Sequence, residues 1–194
     1  MKQLPHRRQG FTLIELLVVI AIISIIAGFL VPTLLRGRGE AYKVQCANNL
    51  KQLYTPAMSY SDKRGTRAFP IGKGTNPPAH ESLNEMLVFD PEGLQAKLFN
   101  CPEGGADEAL ADEEGKFVLT AETLDYAWVA KKTKNTTQGK PLSSDKYVQD
   151  YEDAEGTHNG HKRGMNVLMT DGSISFVNEV DLPPDEKLPK GLTR

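Results

Sequence analysis

Cysteine, tryptophan and histidine are scarce in this chain: two, one and four residues in 194. Two cysteines, Cys46 and Cys101, are too few for the disulfide scaffold of a small secreted domain. Neither lies beside a recognisable catalytic signature. If their part of the chain lies outside the cytoplasm, a Cys46–Cys101 bridge would close a long loop; otherwise both are buried thiols. Either arrangement fits the sequence. An excess of charge of one sign is also lacking, with 23 basic against 25 acidic residues and a net charge of −2. Without the first ten residues, which carry Lys2, Arg7 and Arg8, 20 basic would face 25 acidic residues, or −5. That balance gives no electrostatic footprint for nucleic acid. With 39% hydrophobic and 25% charged residues, most of the chain has the composition of a folded globule.

Long apolar runs are few as well: one stands out, RRQGFTLIELLVVIAIISIIAGFLVPTLL at 7–35. From Phe11 to Leu35 it is broken only by Thr12, Glu15, Ser24, Gly28, Pro32 and Thr33. About 20 apolar residues cross a bilayer as a helix, so the run is long enough. Lys2, Arg7 and Arg8 precede it and favour a cytoplasmic amino terminus with everything after it exported. Arg36 and Arg38 on the far side weaken that asymmetry without reversing it. The run is longer than a secretory signal core and no small-residue cleavage site follows it. Glu15 is the anomaly, because a carboxylate in hydrocarbon is costly unless it has a partner.

Gly10-Phe11-Thr12-Leu13-Ile14-Glu15 resembles the processing site of type IV pilins and type II secretion pseudopilins. The likeness extends through the basic leader, Phe after Gly, Glu four residues later, and the apolar helix with Pro32. It implies cleavage between Gly10 and Phe11 by a prepilin peptidase on the cytoplasmic side, and N-methylation of the Phe11 amine. Cleavage would create a cation four residues before Glu15, on the same helix face. In this family the carboxylate is taken to pair with the amine of a neighbouring subunit, setting register during assembly.

Past Pro32 helical spacing continues. Tyr42, Cys46, Leu50, Leu53, Ala57 and Tyr60 form one apolar stripe, which reads as the core-facing side of the outer half of a long helix. Gly37 and Gly39 lower helix propensity there, and Pro56 is expected to kink or end the helix. Residues 61–80 read as a loop. A short helix is expected at 82–89, a Pro-capped turn at Asp90-Pro91-Glu92, a short extended piece at 98–105, and a solvated acidic segment at 106–115. Strand-like pieces follow in 117–130, clearest in DYAWV, and then a polar linker at 131–141.

MNVLMTDGSISFVNEV (165–180) reads as a β-hairpin whose Asp-Gly suits a type I′ turn with positive φ at both central residues. Val167 and Met169 share one face, and Ile174 and Phe176 share one on the return strand. The tail DLPPDEKLPKGLTR adds no clear element. His161 precedes Asp171-Gly172 by ten positions, which resembles the H-X9-DG element of a pilin-like group abundant in planctomycetes and verrucomicrobia. CANNLKQL, LFNCPEG and DYAWV resemble that group's internal motifs; Pro56 and the Ser173-Ile174 sequence depart from it. His161 with Asp171 lacks a nucleophile and an ordered third group, so the pair reads as structural and no catalytic residue is assigned.

Asp145, Asp150, Glu152, Asp153 and Glu155 supply oxygen donors, and major pseudopilins of secretion systems bind calcium near their carboxy terminus. EF-hand spacing is missing, and His158 with His161 falls short of a zinc site, so no cofactor is assigned and calcium stays an open alternative.

The resulting expectation is an α+β, pilin-like protein that is not an enzyme. It comprises a leader at 1–10, a transmembrane and assembly helix at 11–35, and the outer half of that helix at 36–60. A periplasmic globular domain at 61–194 follows, with a small antiparallel sheet. By resemblance it is a single-pass inner-membrane protein, polymerised into a type II secretion pseudopilus or a type IV pilus-like fibre. Its partners would be prepilin peptidase, other pilin or pseudopilin subunits in a homo- or hetero-polymer, and the platform protein and ATPase of the machine. The alternative is a bitopic membrane-anchored enzyme or binding protein using a pilin-like anchor, with a ligand pocket in 60–194.

Overall fold

The computed structural model describes residues 12–89, 94–102, 104, 106–129, 131–145, 164–178 and 192–193, with Pro32, Leu35 and Arg36 described by their backbone alone. Contacts divide the chain into two units at Arg38/Gly39. Helix α1 is Leu13–Lys63 and contributes to both.

In the first unit every described side chain is exposed, including Leu13, Ile14, Leu16, Phe29 and Leu34. Leu13–Val31 has a mean hydropathy of 2.9 and is long and apolar enough to cross a membrane. A helix apolar all round has no protein-facing stripe and suits a lipid surround. Its polar side chains turn inward on their own backbone. Ser24 Oγ donates to the Ile20 carbonyl at 2.7 Å, and Thr33 Oγ1 to that of Phe29 at 3.2 Å.

The second unit is built on the outer part of α1. Cys46, Leu50, Leu53, Ala57 and Tyr60 are buried, so the stripe read from the sequence is core packing. Each fully buried leucine contributes about 1.5–3 kcal/mol. The helix does not end at Pro56. It runs on to Lys63, because Ala57, Tyr60 and Ser61 beyond the proline are buried and offset its missing hydrogen bond. Helix α2 (Ala79–Phe89) buries Ala79, Ser82, Leu83, Met86 and Leu87, spaced three and four residues apart. Residues 98–99, expected extended, belong to a 3-10 turn, Ala96–Phe99. Asp90 to Glu92 lie outside the described residues.

Five strands form an antiparallel sheet: β1 (Tyr126–Val129), β2 (Pro141–Asp145), β3 (Gly164–Met169), β4 (Ile174–Asn178) and β5 (Leu192–Thr193). Their order is β4-β3-β2-β1-β5. Strand β2 occupies the centre of the sheet although PLSSD carries no apolar alternation. Two of its polar side chains find partners instead, whereas the buried Ser144 hydroxyl has none among the described residues. Ser143 Oγ donates to the Ala127 carbonyl at 2.7 Å. The buried Asp145 carboxylate accepts the Asn166 backbone N–H at 2.6 Å and its side-chain amide at 2.7 Å. Those bonds make a buried charge tolerable. The same amide donates to the Lys43 carbonyl on α1 at 3.0 Å, so one asparagine ties helix, β2 and β3 together. Strand β5 comes from the tail that read as featureless, and pairs with the edge of β1.

The hairpin is present with a different turn. Met169 N–H donates to the Ser173 carbonyl, and Gly172 N–H to that of Met169. Gly172 has φ +78°, and Asp171 is not among the positive-φ residues. This is a three-residue loop, a turn followed by a left-handed glycine, rather than the two-residue type I′ form. Register pairs Leu168 with Ile174 and Asn166 with Phe176. Ile174 and Phe176 therefore share the face of Leu168 and Asn166, which meets α1, whereas Val167 and Met169 point the other way.

Candidate functional site

Where the described chain begins, the first turn of α1 meets the sequence Thr12-Leu13-Ile14-Glu15. A helix start leaves backbone N–H groups without partners, and in hydrocarbon nothing else supplies them. Here Thr12 and Glu15 satisfy each other. Thr12 N–H donates to Glu15 Oε2 at 2.8 Å, Thr12 Oγ1 donates to the same oxygen at 2.7 Å, and Glu15 N–H reaches Thr12 Oγ1 at 3.4 Å. This is a capping box, Thr with Glu three residues on. The sequence held its signature, but the identity of Glu15 as an intramembrane acid drew the reading away from it. The carboxylate is thus turned back to the helix start, on the N–H of the residue that directly follows Phe11 in the sequence. Gly10 and Phe11 themselves lie outside the described residues.

The sites read from the second half of the chain divide. Cys46 and Cys101 are joined by a disulfide, with Cα atoms 5.4 Å apart. Cys101 sits in a loop wrapped around a buried carboxylate that the sequence reading missed. Asp125 accepts the Cys101 N–H at 2.9 Å and the Ala106 N–H at 3.0 Å, while its own N–H donates to the Phe99 carbonyl. Gly104 packs so closely on that carboxylate that a Cβ would collide with it. The signal was there: LFNCPEG and DYAWV both stood out, and one holds the loop that the other's aspartate organises.

Asp171 and Gly172 shape the hairpin turn. Asp171 Oδ1 accepts the Ser173 N–H at 2.9 Å and its hydroxyl at 2.6 Å, and these bonds hold the carboxyl below the usual aspartate range. The Lys51 ammonium on α1 donates to the Gly172 carbonyl, and Tyr54 Oη to that of Thr170 at 3.2 Å. Burial raises the Tyr54 pKa, so the phenol stays protonated and remains a donor. A Cβ on Gly172 would lie 2.6 Å from the Tyr54 ring. Gly172→Ala therefore meets both a disfavoured φ and a clash. It is expected to lower unfolding free energy by about 1–2 kcal/mol or more. Denaturation of the detergent-solubilised chain measures it; unchanged stability would contradict this account of the turn. His161 lies outside the described residues, as do His158, Asp150, Glu152, Asp153 and Glu155. Among the described residues no three His, Cys, Asp or Glu are placed to hold a metal, and Asp145 is occupied by Asn166.

The prokaryotic N-terminal methylation motif matches residues 5–31. The chain is 38% identical over 58 residues to the type IV major pilin protein PilA of Myxococcus xanthus, covering 30% of this chain and 26% of that one. It is 29% identical over 119 residues to the type II secretion system core protein G of Escherichia coli, covering 54% of this chain and 81% of that one. The matches thus span about a quarter of the first relative and four fifths of the second. No solved structure matches at comparable significance. The long apolar helix, followed by helices and a small antiparallel sheet, is a pilin-like α+β arrangement.

Proposed function

We propose that the chain is a structural subunit processed by prepilin peptidase between Gly10 and Phe11, methylated on the Phe11 amine, and polymerised into a type II secretion pseudopilus or type IV pilus-like fibre. Before assembly it is stored in the inner membrane as a single-pass protein, with the leader cytoplasmic and the Gly39–Arg194 unit periplasmic. Its partners are the peptidase, other pilin-like subunits, and the platform protein and ATPase of the machine.

One observation carries the reading. The lone acid of the apolar segment is held at the amino end of its helix, where cleavage would place a cation. In the monomer the capping box keeps the carboxylate hydrogen-bonded within the membrane. In the fibre a neighbouring Phe11 amine becomes its partner, and a bond between two opposite charges replaces bonds from neutral donors. The apolar surface left exposed along Leu13–Leu34 then packs against the same segment of other subunits.

Gly10→Val tests the first step. A close backbone approach in the protease site has no room for a branched side chain. The variant should keep its leader, run about ten residues heavier, and stay in the inner membrane. Normal cleavage of the variant would contradict the assigned site.

A further inference from the structure

The second unit exposes two apolar patches with oppositely charged borders. One is the arm at 106–119. Asp112 N–H donates to the Lys116 carbonyl, and Asp112 Oδ1 accepts the N–H groups of Glu114 and Lys116, which closes a tight turn. Two positions further from that turn on each side stand Leu110 and Val118, 93% and 70% exposed, although Ala109, Phe117 and Leu119 beside them are buried. Leu110 and Val118 thus stand on the outward side of a fixed arm and bury little within the monomer. Around them are Asp107, Glu108, Asp112, Glu113 and Glu114, all exposed. Of the bases beside them, Lys116 is taken by Glu114 at 2.5 Å, and Lys97 lines the same hollow as Leu110 and Glu108.

The second patch lies at the end of α2. Val88 is 83% and Phe89 37% exposed. Phe89 meets the Tyr60 ring edge-on at 5.5 Å. Lys63 lies 5.6 Å from the Phe89 ring centre, and the Arg64 guanidinium 5.1 Å from that of Tyr60. The loop after β1 runs alongside, since Phe69 N–H donates to the Thr133 carbonyl and Asn135 N–H to that of Arg67. That loop carries Lys131, Lys132 and Lys134, all exposed. Among the described residues the local acids are Asp62, which accepts the Asn135 amide at 2.8 Å, and Glu85, 3.9 Å from Arg64; Asp90 and Glu92, next in the sequence after Phe89, lie outside them.

We infer that these patches meet between two copies of the chain: the Leu110/Val118 arm of one subunit docks on the Val88/Phe89 patch of the next, with acidic border against basic border. The occupant is a second copy because the two surfaces complement each other in charge and in apolar centre. A contact between two different patches leaves one of each free at the ends, which suits an open polymer. Opposed borders supply specificity and steering, and the apolar centres supply the buried area. This inference rests on the polymer reading and adds the periplasmic contact between subunits.

The test uses the full chain in cells that assemble it, with Leu110 replaced by a photo-crosslinking benzophenone amino acid. Irradiation should give an adduct of twice the chain mass, with the partner peptide mapped to residues 60–64 or 85–89. Glu113→Lys with Glu114→Lys should remove that adduct, and adding Lys63→Glu with Arg64→Glu should restore it. An adduct to another protein or another region, no adduct, or failure of the charge swap overturns the contact. Fibres are scored separately by pelleting. Fibres without the adduct defeat this contact and leave the polymer reading standing, whereas wild-type cells without fibres defeat the polymer reading and the contact with it.

Discussion

Glu15→Ala subunits are expected to insert and be cleaved normally, yet to be absent from fibres built alongside wild-type chains. On the proposed function cleavage would depend on Gly10 and the leader charges, which the change leaves alone. On the same proposed function assembly would depend on the carboxylate, which accepts Thr12 in the isolated helix and would take the neighbouring amine in the polymer. A second variant separates the two roles. Glutamine also completes a capping box, because its carbonyl accepts the same N–H. If capping alone mattered, Glu15→Gln would enter fibres. If the charge matters, Glu15→Gln fails as Glu15→Ala does, and that is the expected outcome. Mixed expression of tagged variant and wild-type chains, followed by pelleting, reads the result. Efficient incorporation of either variant would sink the pairing argument.

Replacing Cys46 and Cys101 together by alanine should cost the second unit about 4 kcal/mol, the chain-entropy value for a loop of 55 residues. Few single features of a unit this size contribute as much. The bridge fixes α1 to the loop around Asp125, so its loss also frees that loop from the helix. Urea denaturation with and without reductant measures the difference. Both thiols alkylated without prior reduction, or equal midpoints, would contradict it.

The parts legible in the sequence were those where local pattern and burial agree. The stripe from Tyr42 to Tyr60 kept its spacing of three and four; five of its six members are buried in the core, and Tyr42 is half-buried. DYAWV and the hairpin were visible because β-rich runs ended at turn residues. What escaped detection was held by partners distant in sequence. Strand β2 has two serines and an aspartate in its five residues. It is a strand because β1 and β3 flank it and Asn166 satisfies Asp145. Asp125 looked like the start of a strand, and its role appears only when a loop 20 residues earlier folds over it. Pro56 does not end the helix, since propensity yields to burial on both sides. The turn type failed because Asp-Gly serves both a two-residue and a three-residue loop, and the register decides between them.

The candidate site follows the same division. Glu15 stood out by charge alone, whereas its capping partner was a threonine of no apparent note three residues earlier. Asp171 and Gly172 were singled out by resemblance, and their geometry assigns them to the turn that Lys51 and Tyr54 of α1 hold in place.

The central claim is that this is a processed subunit, and the mass of the mature chain tests it most directly. Intact mass and amino-terminal peptide spectra of protein extracted from the membranes of its native cells should show a chain starting at Phe11 with one methyl group on its amine. A chain starting at Met1, or one cut beyond the apolar helix, would contradict the account.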